Sequence, residues 1–305
     1  MNTEEIYTLF KTNFPYVHRE PDTIRAIIGD SENTWIIRRG PDDRIISCAI
    51  IHRNTILFLF VEQAFRKQGI GTRLLEECET QIRKNGFDSV SLGAGSDYLL
   101  PGVPCIKKYT ESVHENLLPE LNNEAADFFE KRGYVHSWGK CNCFDMCMSL
   151  TNADPDAAAG EGRADDVRCR WAVPEDLEKV ISCADDACQY QEESFSRYYK
   201  NPAFYGPGKS RVLVAEKDGK IAGCLIVSFE TEGEGMGSVG CTCVSSKETH
   251  KGIGTLLVRT GTSLLKTHGM SEACLSYTYS GLDKMYGAAG YEITTYYFMG
   301  KKVLR

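Results

Sequence analysis

The 305-residue sequence predicts a mixed α/β protein made of two tandem copies of one fold, each a mostly antiparallel twisted sheet flanked by helices. Three observations carry this. Strand-like and helix-like periods follow one another in similar order in both halves. A strand–glycine turn–helix segment occurs twice at one offset, since 252 − 69 and 254 − 71 both give 183. Between the halves, residues 151–166 are small, acidic and aperiodic, which is linker composition. The expected domains are therefore 1–150 and 167–305, each long enough to bury its own core.

In the first half, Glu4 to Phe14 and Asp22 to Ile28 have helical apolar spacing. Thr34 to Arg38, Ile45 to His52 and Thr55 to Glu62 read as strands, with turns at Asp42-Asp43 and Arg53-Asn54. The turn Arg66 to Gly71 opens a helix that Gly86 ends, and Ser89 to Leu92 is a strand. Gly93 to Glu120 shows no period and holds three prolines, the mark of a functional or disordered insert. A helix at Asn123 to Arg132 and a strand-rich end to Leu150 follow.

The second half repeats the plan. Arg168 to Val173 is a strand and Pro174 to Asp186 a helix, with proline suited to its first turn. Arg211 to Glu216 and Lys220 to Phe229 form a hairpin across Asp218-Gly219. Ser238 to Val244 is a strand, His250 to Gly254 the turn, and the next helix runs to Thr267. Ala273 to Tyr279 is a strand, Leu282 to Ala288 a short helix, and Tyr291 to Lys302 a strand-rich end.

Composition narrows the function classes. A net charge of −7 disfavours nucleic acid as the main partner, because phosphate contacts need clustered Lys and Arg. No run of eighteen apolar residues suggests a membrane span, and the acidic start lacks a signal core, so a cytoplasmic protein is expected. Thirteen cysteines are scattered through strands and helices. Cys141, Cys143 and Cys147 fit no usual zinc spacing, so no metal site is expected.

The repeated turn has a direct chemical use. Glycine lets backbone N–H groups converge without a Cβ in the way. The following helix adds free N–H groups and the positive end of its dipole. Such a turn holds a pyrophosphate. A lone Gly-x-Gly is a weak signal; this one is neither a P-loop nor a dinucleotide fingerprint, and duplication with like flanks raises its weight. The residues concerned are Val61, Arg66, Lys67, Gln68, Gly69, Ile70, Gly71 and Thr72, and in the second copy Cys243, Val244, His250, Lys251, Gly252, Ile253, Gly254 and Thr255.

Val61 through Gly71 resembles the acetyl-CoA-binding segment of the GNAT superfamily of N-acetyltransferases, and Val244 through Gly254 is similar to it, departing at Thr249 where the family commonly has arginine. The resemblance covers both halves. It implies acetyl-CoA as co-substrate and a strand that bulges and splays from its neighbour. It also implies direct attack of a small-molecule amine on the thioester, with a backbone N–H at the bulge stabilising the oxyanion. A late-helix tyrosine commonly protonates the leaving thiolate. Tyr286 falls on that position in the second half, and Phe129 takes it in the first. The C-terminal half is therefore expected to be catalytic, with Tyr286 as acid. Asp283, one helical turn before it, is a candidate base. Glu230 and Glu232 follow a strand expected to line the acceptor site, with Glu230 expected to bind the acceptor; each otherwise reads as a solvated carboxylate, and a water relay is the alternative.

The first half keeps Asn122 and Ala125 of the family pattern, where the second has Tyr279 and Leu282. A cofactor-binding or structural role is expected for it. Its insert is longer by 26 residues, since 129 − 71 is 58 and 286 − 254 is 32. Gly95 through Pro104 within it resembles a segment of tandem GNAT proteins that include glucosamine/glucosaminide N-acetyltransferases. That resemblance implies an amino-sugar acceptor bound by Asp97 and Tyr98. A domain-packing loop explains the same segment equally well.

Overall fold

The computed structural model describes residues 2–17, 19–93, 98–151, 166–189, 195–230 and 233–304. Its contacts divide the chain into two compact units. Unit 1 holds Met1–Glu111, Leu117–Phe144 and Thr295–Arg305; unit 2 holds Ser112–Asn116 and Asp145–Thr294.

Unit 1 begins with α1 (Thr3–Asn13) and α2 (Pro21–Ile28). Asn2 caps α1 by accepting the Glu4 N–H at 3.1 Å. An antiparallel meander follows, of β1 (Asn33–Arg39), β2 (Ile45–His52) and β3 (Thr55–Val61). Ile6, Phe10, Ile24 and Ile28 from the helices form one core with Ile50, Phe58 and Phe60 of these strands. Each such side chain, fully buried, stabilises the unit by roughly 1.5–3 kcal/mol. After β3 come α3 (Ile70–Lys84) and β4 (Ser89–Leu92). Then follow β5 (Val103–Cys105), α4 (Glu124–Glu130), β6 (Val135–His136) and β7 (Cys143–Ser149).

Unit 2 contains β8 (Val167–Trp171), α5 (Leu177–Ala187), β9 (Ser210–Lys217), β10 (Lys220–Phe229) and β11 (Met236–Val244). It continues with α6 (Ile253–Thr267), β12 (Glu272–Tyr279) and α7 (Asp283–Gly287). The chain ends with β13 (Glu292–Phe298) and β14 (Gly300–Val303). Among the described residues between α5 and β9 lie two short 3₁₀ turns, Phe195–Lys200 and Pro202–Tyr205.

The expected split at 1–150 and 167–305 follows the chain, and the compact units do not. Most of β7 belongs to unit 2, where it lies beside β12; β14, the last strand, lies between β4 and β6 in unit 1. The physical reason is strand pairing. β4 needs a partner on its outer edge, and Lys301, Lys302 and Val303 of β14 pair with Ser91, Val90 and Ser89. Lys302 also reaches the buried carboxylate of Glu79 at 2.8 and 2.9 Å, which Tyr134 bonds from its hydroxyl at 3.1 Å. The expected linker at 151–166 falls almost wholly outside the described residues.

The insert is more ordered in its pairing than its composition suggests. β5 pairs with Tyr296, Tyr297 and Phe298 of β13 in unit 1, and Leu99 and Leu100 are buried in that unit's core. Ser112–Asn116 belongs to unit 2, where His114 and Asn116 exchange backbone bonds with Ile293. Among the described residues, no helix is long and apolar enough to cross a membrane. No group of three or more His, Cys, Asp or Glu side chains there is placed to hold a metal.

Candidate active site

Both units contain the same fork. Among the described residues, the parallel ladder of β11 and β12 pairs Met236 with Glu272 and Gly237 with Ala273, while β11 continues to Val244. In unit 1, Thr55 pairs with Ser91 and Ile56 with Leu92, and β3 continues to Val61. The strands then separate, leaving main-chain groups on the inner edge without ladder partners.

The forks differ in how they open. On β11 the register with β10 shifts between Cys224↔Cys243 and Ile226↔Gly240, so two residues, Cys241 and Thr242, oppose Leu225. Cys241 has φ +54°, a left-handed conformation uncommon for a residue with a side chain. Across the fork, Tyr277 of β12 has φ +60°. It stands at the same level, because 241 − 236 and 277 − 272 both give 5. Asp145 of β7 accepts the Tyr277 N–H at 2.9 Å. In unit 1 the shift falls at Leu57, and β3 has no left-handed residue among those with side chains. There Gly93, just past β4, lies so close to the next segment that a Cβ would collide with the Leu100 carbonyl oxygen. The insert therefore packs against the mouth of the first fork.

The two turns match closely. Lys67 and Gly69 have φ +62° and +78°; His250 and Gly252 have +62° and +82°. Gly69 and Gly252 are the residues just before α3 and α6, and neither helix has a side-chain cap there. The first N–H groups of each helix lack intrahelical acceptors by geometry. A Cβ on Gly252 would meet nothing within 4 Å, so the turn is open where a phosphate would lie. The second glycine does a different job. A Cβ on Gly254 would meet the Met285 sulfur at 2.8 Å and Val244 at 3.6 Å; one on Gly71 would meet Phe128 at 3.4 Å and Val61 at 3.6 Å. It lets the helix approach the strand and the late helix. Ile253 is buried beneath the turn.

Two cationic side chains of the turns, Arg66 and Lys251, are bonded within the chain. Arg66 donates to the Val61 carbonyl at 2.9 Å, Gln68 to the Ala64 carbonyl at 3.2 Å. Lys251 is paired with Glu248 at 3.2 Å, which Lys217 also reaches at 3.1 Å. In unit 1, Arg132 donates to the Thr72 hydroxyl at 2.6 Å, with its guanidinium 3.7 Å from the Phe128 ring centroid. Its Nε is buried with no hydrogen-bond partner among the described residues. The second copy has Ala289 at the corresponding place.

Tyr286 is buried on α7, and its hydroxyl lies 3.2 Å from the hydroxyl of Thr242, on the bulge. Burial pushes its pKa up to about 12, with the Thr242 bond acting the other way. At neutral pH it therefore carries its proton. Phe129, its counterpart in unit 1, is buried against Phe128 and Tyr134, and has no hydroxyl.

Of the carboxylates expected as bases, Asp283 is held by main-chain donors and Glu230 stands far along the strand. Asp283 is buried and accepts two backbone N–H groups, from Gly281 at 3.1 Å and Val113 at 3.2 Å. It anchors Ser112–Asn116 against α7, which is a structural use of both its oxygens. Glu230 is exposed, with φ +57°, at the far end of β10. It stands level with Met236, six residues or about 20 Å along the strand from Thr242. Glu232 and Asp97 lie outside the described residues. Tyr98 belongs to unit 1, where Arg19 lies over its ring at 4.8 Å and bonds its carbonyl. Asn122 accepts the Glu124 N–H ahead of α4.

Several residues here were not legible in the sequence: Cys241, Thr242, Asp145 and Tyr199. Tyr199, in the 3₁₀ turn after α5, is fully buried and donates its hydroxyl to the Cys241 carbonyl. Five aromatic residues between positions 195 and 205 were the available signal that this stretch packs inward.

Comparisons with known proteins agree with this geometry. A family described as "Acetyltransferase (GNAT) domain" matches residues 30–136, and one described as "Acetyltransferase (GNAT) family" matches residues 177–289. No curated protein sequence matches. Among solved structures, a fungal multi-domain GH3 β-N-acetylglucosaminidase containing a GCN5-related glucosamine N-acetyltransferase region is 18% identical, with a TM-score of 0.71. The match covers 98% of this chain and 36% of that one, so this chain spans about a third of that protein's length. A GCN5-related N-acetyltransferase from Sphaerobacter thermophilus is 18% identical with a TM-score of 0.69, covering 99% and 92% of the two chains. A tandem GNAT protein from the clavulanic acid biosynthesis pathway is 16% identical with a TM-score of 0.67, covering 99% and 94%. At these identities the likeness is one of fold.

Proposed function

Because the chain belongs to the GNAT acetyltransferases, with one domain of that family in each half, we propose that unit 2 carries the working site and acetylates a primary amine from acetyl-CoA. One observation carries this reading: the left-handed bulge at Cys241-Thr242 bonded to the buried, protonated hydroxyl of Tyr286. Bound acetyl-CoA would supply the acyl group and a thiolate leaving group. The N–H groups of Gly252, Ile253, Gly254 and Thr255 would hold its pyrophosphate. The open space beside Gly252 fits that group, and a side chain there would fill it.

As the amine nitrogen bonds to the carbonyl carbon and the carbon–sulfur bond breaks, one proton leaves nitrogen and one reaches sulfur. Tyr286 is the donor to sulfur. With both Asp283 oxygens engaged and Glu230 about 20 Å away along the strand, the proton from nitrogen passes to water, so we assign no carboxylate base. Unit 1 is a binding or structural copy: it keeps the turn but has Phe129 for the acid and the insert at its fork.

For the acceptor we propose an amino sugar. The short sequence likeness in the insert and the fold likeness to a glucosamine N-acetyltransferase region support it. Release of CoA, followed with a thiol reagent across a panel of glucosamine, polyamines and peptide N-termini, tests the reading. Turnover with glucosamine is expected. Turnover with polyamines or peptides alone would remove the sugar, and no turnover with any amine would remove the enzymatic reading.

A further inference from the structure

The bulge on β11 is held from both sides, and one of the two holders has no part in the reaction as drawn above. Tyr286 touches the Thr242 side chain. Tyr199 reaches the main chain itself, donating its hydroxyl to the Cys241 carbonyl. It does so from within a core formed with Val180, Cys183, Cys224 and Cys243. Tyr205 in turn donates to the Tyr199 carbonyl at 3.0 Å.

The peptide joining Cys241 to Thr242 is trans, like every described peptide. In a planar trans peptide the C=O and the following N–H point in opposite directions. A carbonyl drawn toward Tyr199 therefore turns the Thr242 N–H away from that core. Thr242 also carries the hydroxyl that meets Tyr286. One residue thus presents a main-chain donor and touches the candidate acid.

A left-handed residue with a side chain is strained and persists only when its surroundings hold it. Cys241 is such a residue, and the Tyr199 bond is a fixed constraint on its carbonyl. Unit 1, whose bulge at Leu57 has no left-handed residue beside it, lacks this arrangement.

We propose that Tyr199 is a positioning residue that turns the Thr242 N–H into the fork between β11 and β12, where it receives the oxygen that becomes negative as the amine adds. This rests on the reading of unit 2 as the acetylating site. A preorganised donor of this kind acts mainly on the rate of the chemical step and little on cofactor affinity. It also polarises the thioester carbonyl before reaction, which gives a readout independent of turnover.

The test is infrared difference spectroscopy of [1-¹³C]acetyl-CoA bound to the full chain. In the wild type the labelled carbonyl band is expected at lower wavenumber than in free acetyl-CoA. In Tyr199→Phe that displacement is lost, kcat falls by about tenfold or more, and the KM for acetyl-CoA stays within about twofold. Tyr205→Phe removes one buried hydroxyl from the same core but leaves the Cys241 bond, and it keeps the displaced band. Should Tyr199→Phe fail to fold, 3-fluorotyrosine at position 199 preserves the packing with a stronger donor, and the band moves further down.

Retention of both band and kcat in Tyr199→Phe overturns the proposal, as does an equal loss in Tyr205→Phe or an unmoved band with fluorotyrosine. A wild type that binds the labelled acetyl-CoA but acetylates no amine overturns the functional reading. Bound acetyl-CoA with an undisplaced band, together with amine turnover, overturns the role of Tyr199 alone.

Discussion

Tyr286 is the residue on which the two halves differ most consequentially. Its hydroxyl is buried, bonded to Thr242, and protonated well past neutrality because its pKa is pushed up to about 12. Replacing it with phenylalanine keeps the ring and its edge contact with Tyr291 while removing the proton. We expect kcat to fall by roughly 10²-fold, the lower part of the range for general acid catalysis. A change within about threefold, or ~0.7 kcal/mol, would show that Tyr286 only packs. The pH dependence has a definite sign. A tyrosine of ordinary pKa begins to lose its proton near pH ~10. Tyr286 has a raised pKa, so its acid form persists through that pH, and kcat measured from neutrality to about pH 10 should show no alkaline fall. A fall centred near pH 9 would contradict the assignment.

At the level of elements, the two glycines of the second turn should separate when substituted. Gly252 is left-handed and opens to free space, so Gly252→Val strains the turn and fills the place proposed for the phosphate. Its effect is expected on the KM for acetyl-CoA, by about tenfold or more, equivalent to ~1.4 kcal/mol. Gly254 packs against Met285, the neighbour of Tyr286 on α7. Gly254→Val therefore displaces the element carrying the proposed acid, and the larger effect is expected on kcat. Equal effects of both on the KM alone would mean that both glycines serve the phosphate. The same loop is tied to α5 by Asp186, which accepts from the Ser245 and Ser246 hydroxyls and the Ser246 N–H. The Ser245 hydroxyl bond, first, and the Ser246 bonds hold its pKa below the ordinary value of 3.8. A depressed carboxylate stabilises the fold above its ordinary pKa. That contribution is complete at neutral pH and is lost as pH falls below ~4. Thermal unfolding of Asp186→Ala should accordingly differ from the wild type at pH 7 and converge with it in stronger acid.

For the chain taken entire, the exchange of strands between sequence halves governs stability. β14 comes from the C-terminus and completes the sheet of unit 1, and most of β7 comes from the first half and belongs to unit 2. Segments 1–150 and 167–305 expressed separately should each lack a strand and fail to give a cooperative unfolding transition, whereas the two coexpressed should recover one. Independent folding of 1–150 would contradict this. Lys302→Met isolates part of the effect. It leaves the buried Glu79 with the Tyr134 hydroxyl as partner, at an expected loss of about 3 kcal/mol, measured by denaturant unfolding.

The sequence by itself determined what depends on near neighbours. Helix and strand periods, the turns at Gly69 and Gly252, and the Tyr286–Phe129 contrast all lie within a few residues of their causes, where local sterics and side-chain chemistry act. The tertiary structure alone decided the rest. The bulge at Cys241 is a one-residue change of pairing with β10, and the alternation along β11 carries no trace of it. Asp283 reads as a base beside Tyr286 until its backbone partners, one of them Val113, 170 positions away, are known. Tyr199 meets Cys241 across 42 positions, and β14 meets β4 across two hundred or so. Strand edges and buried hydroxyls take partners by satisfying hydrogen bonds in space, and distance along the chain does not restrict which partner serves.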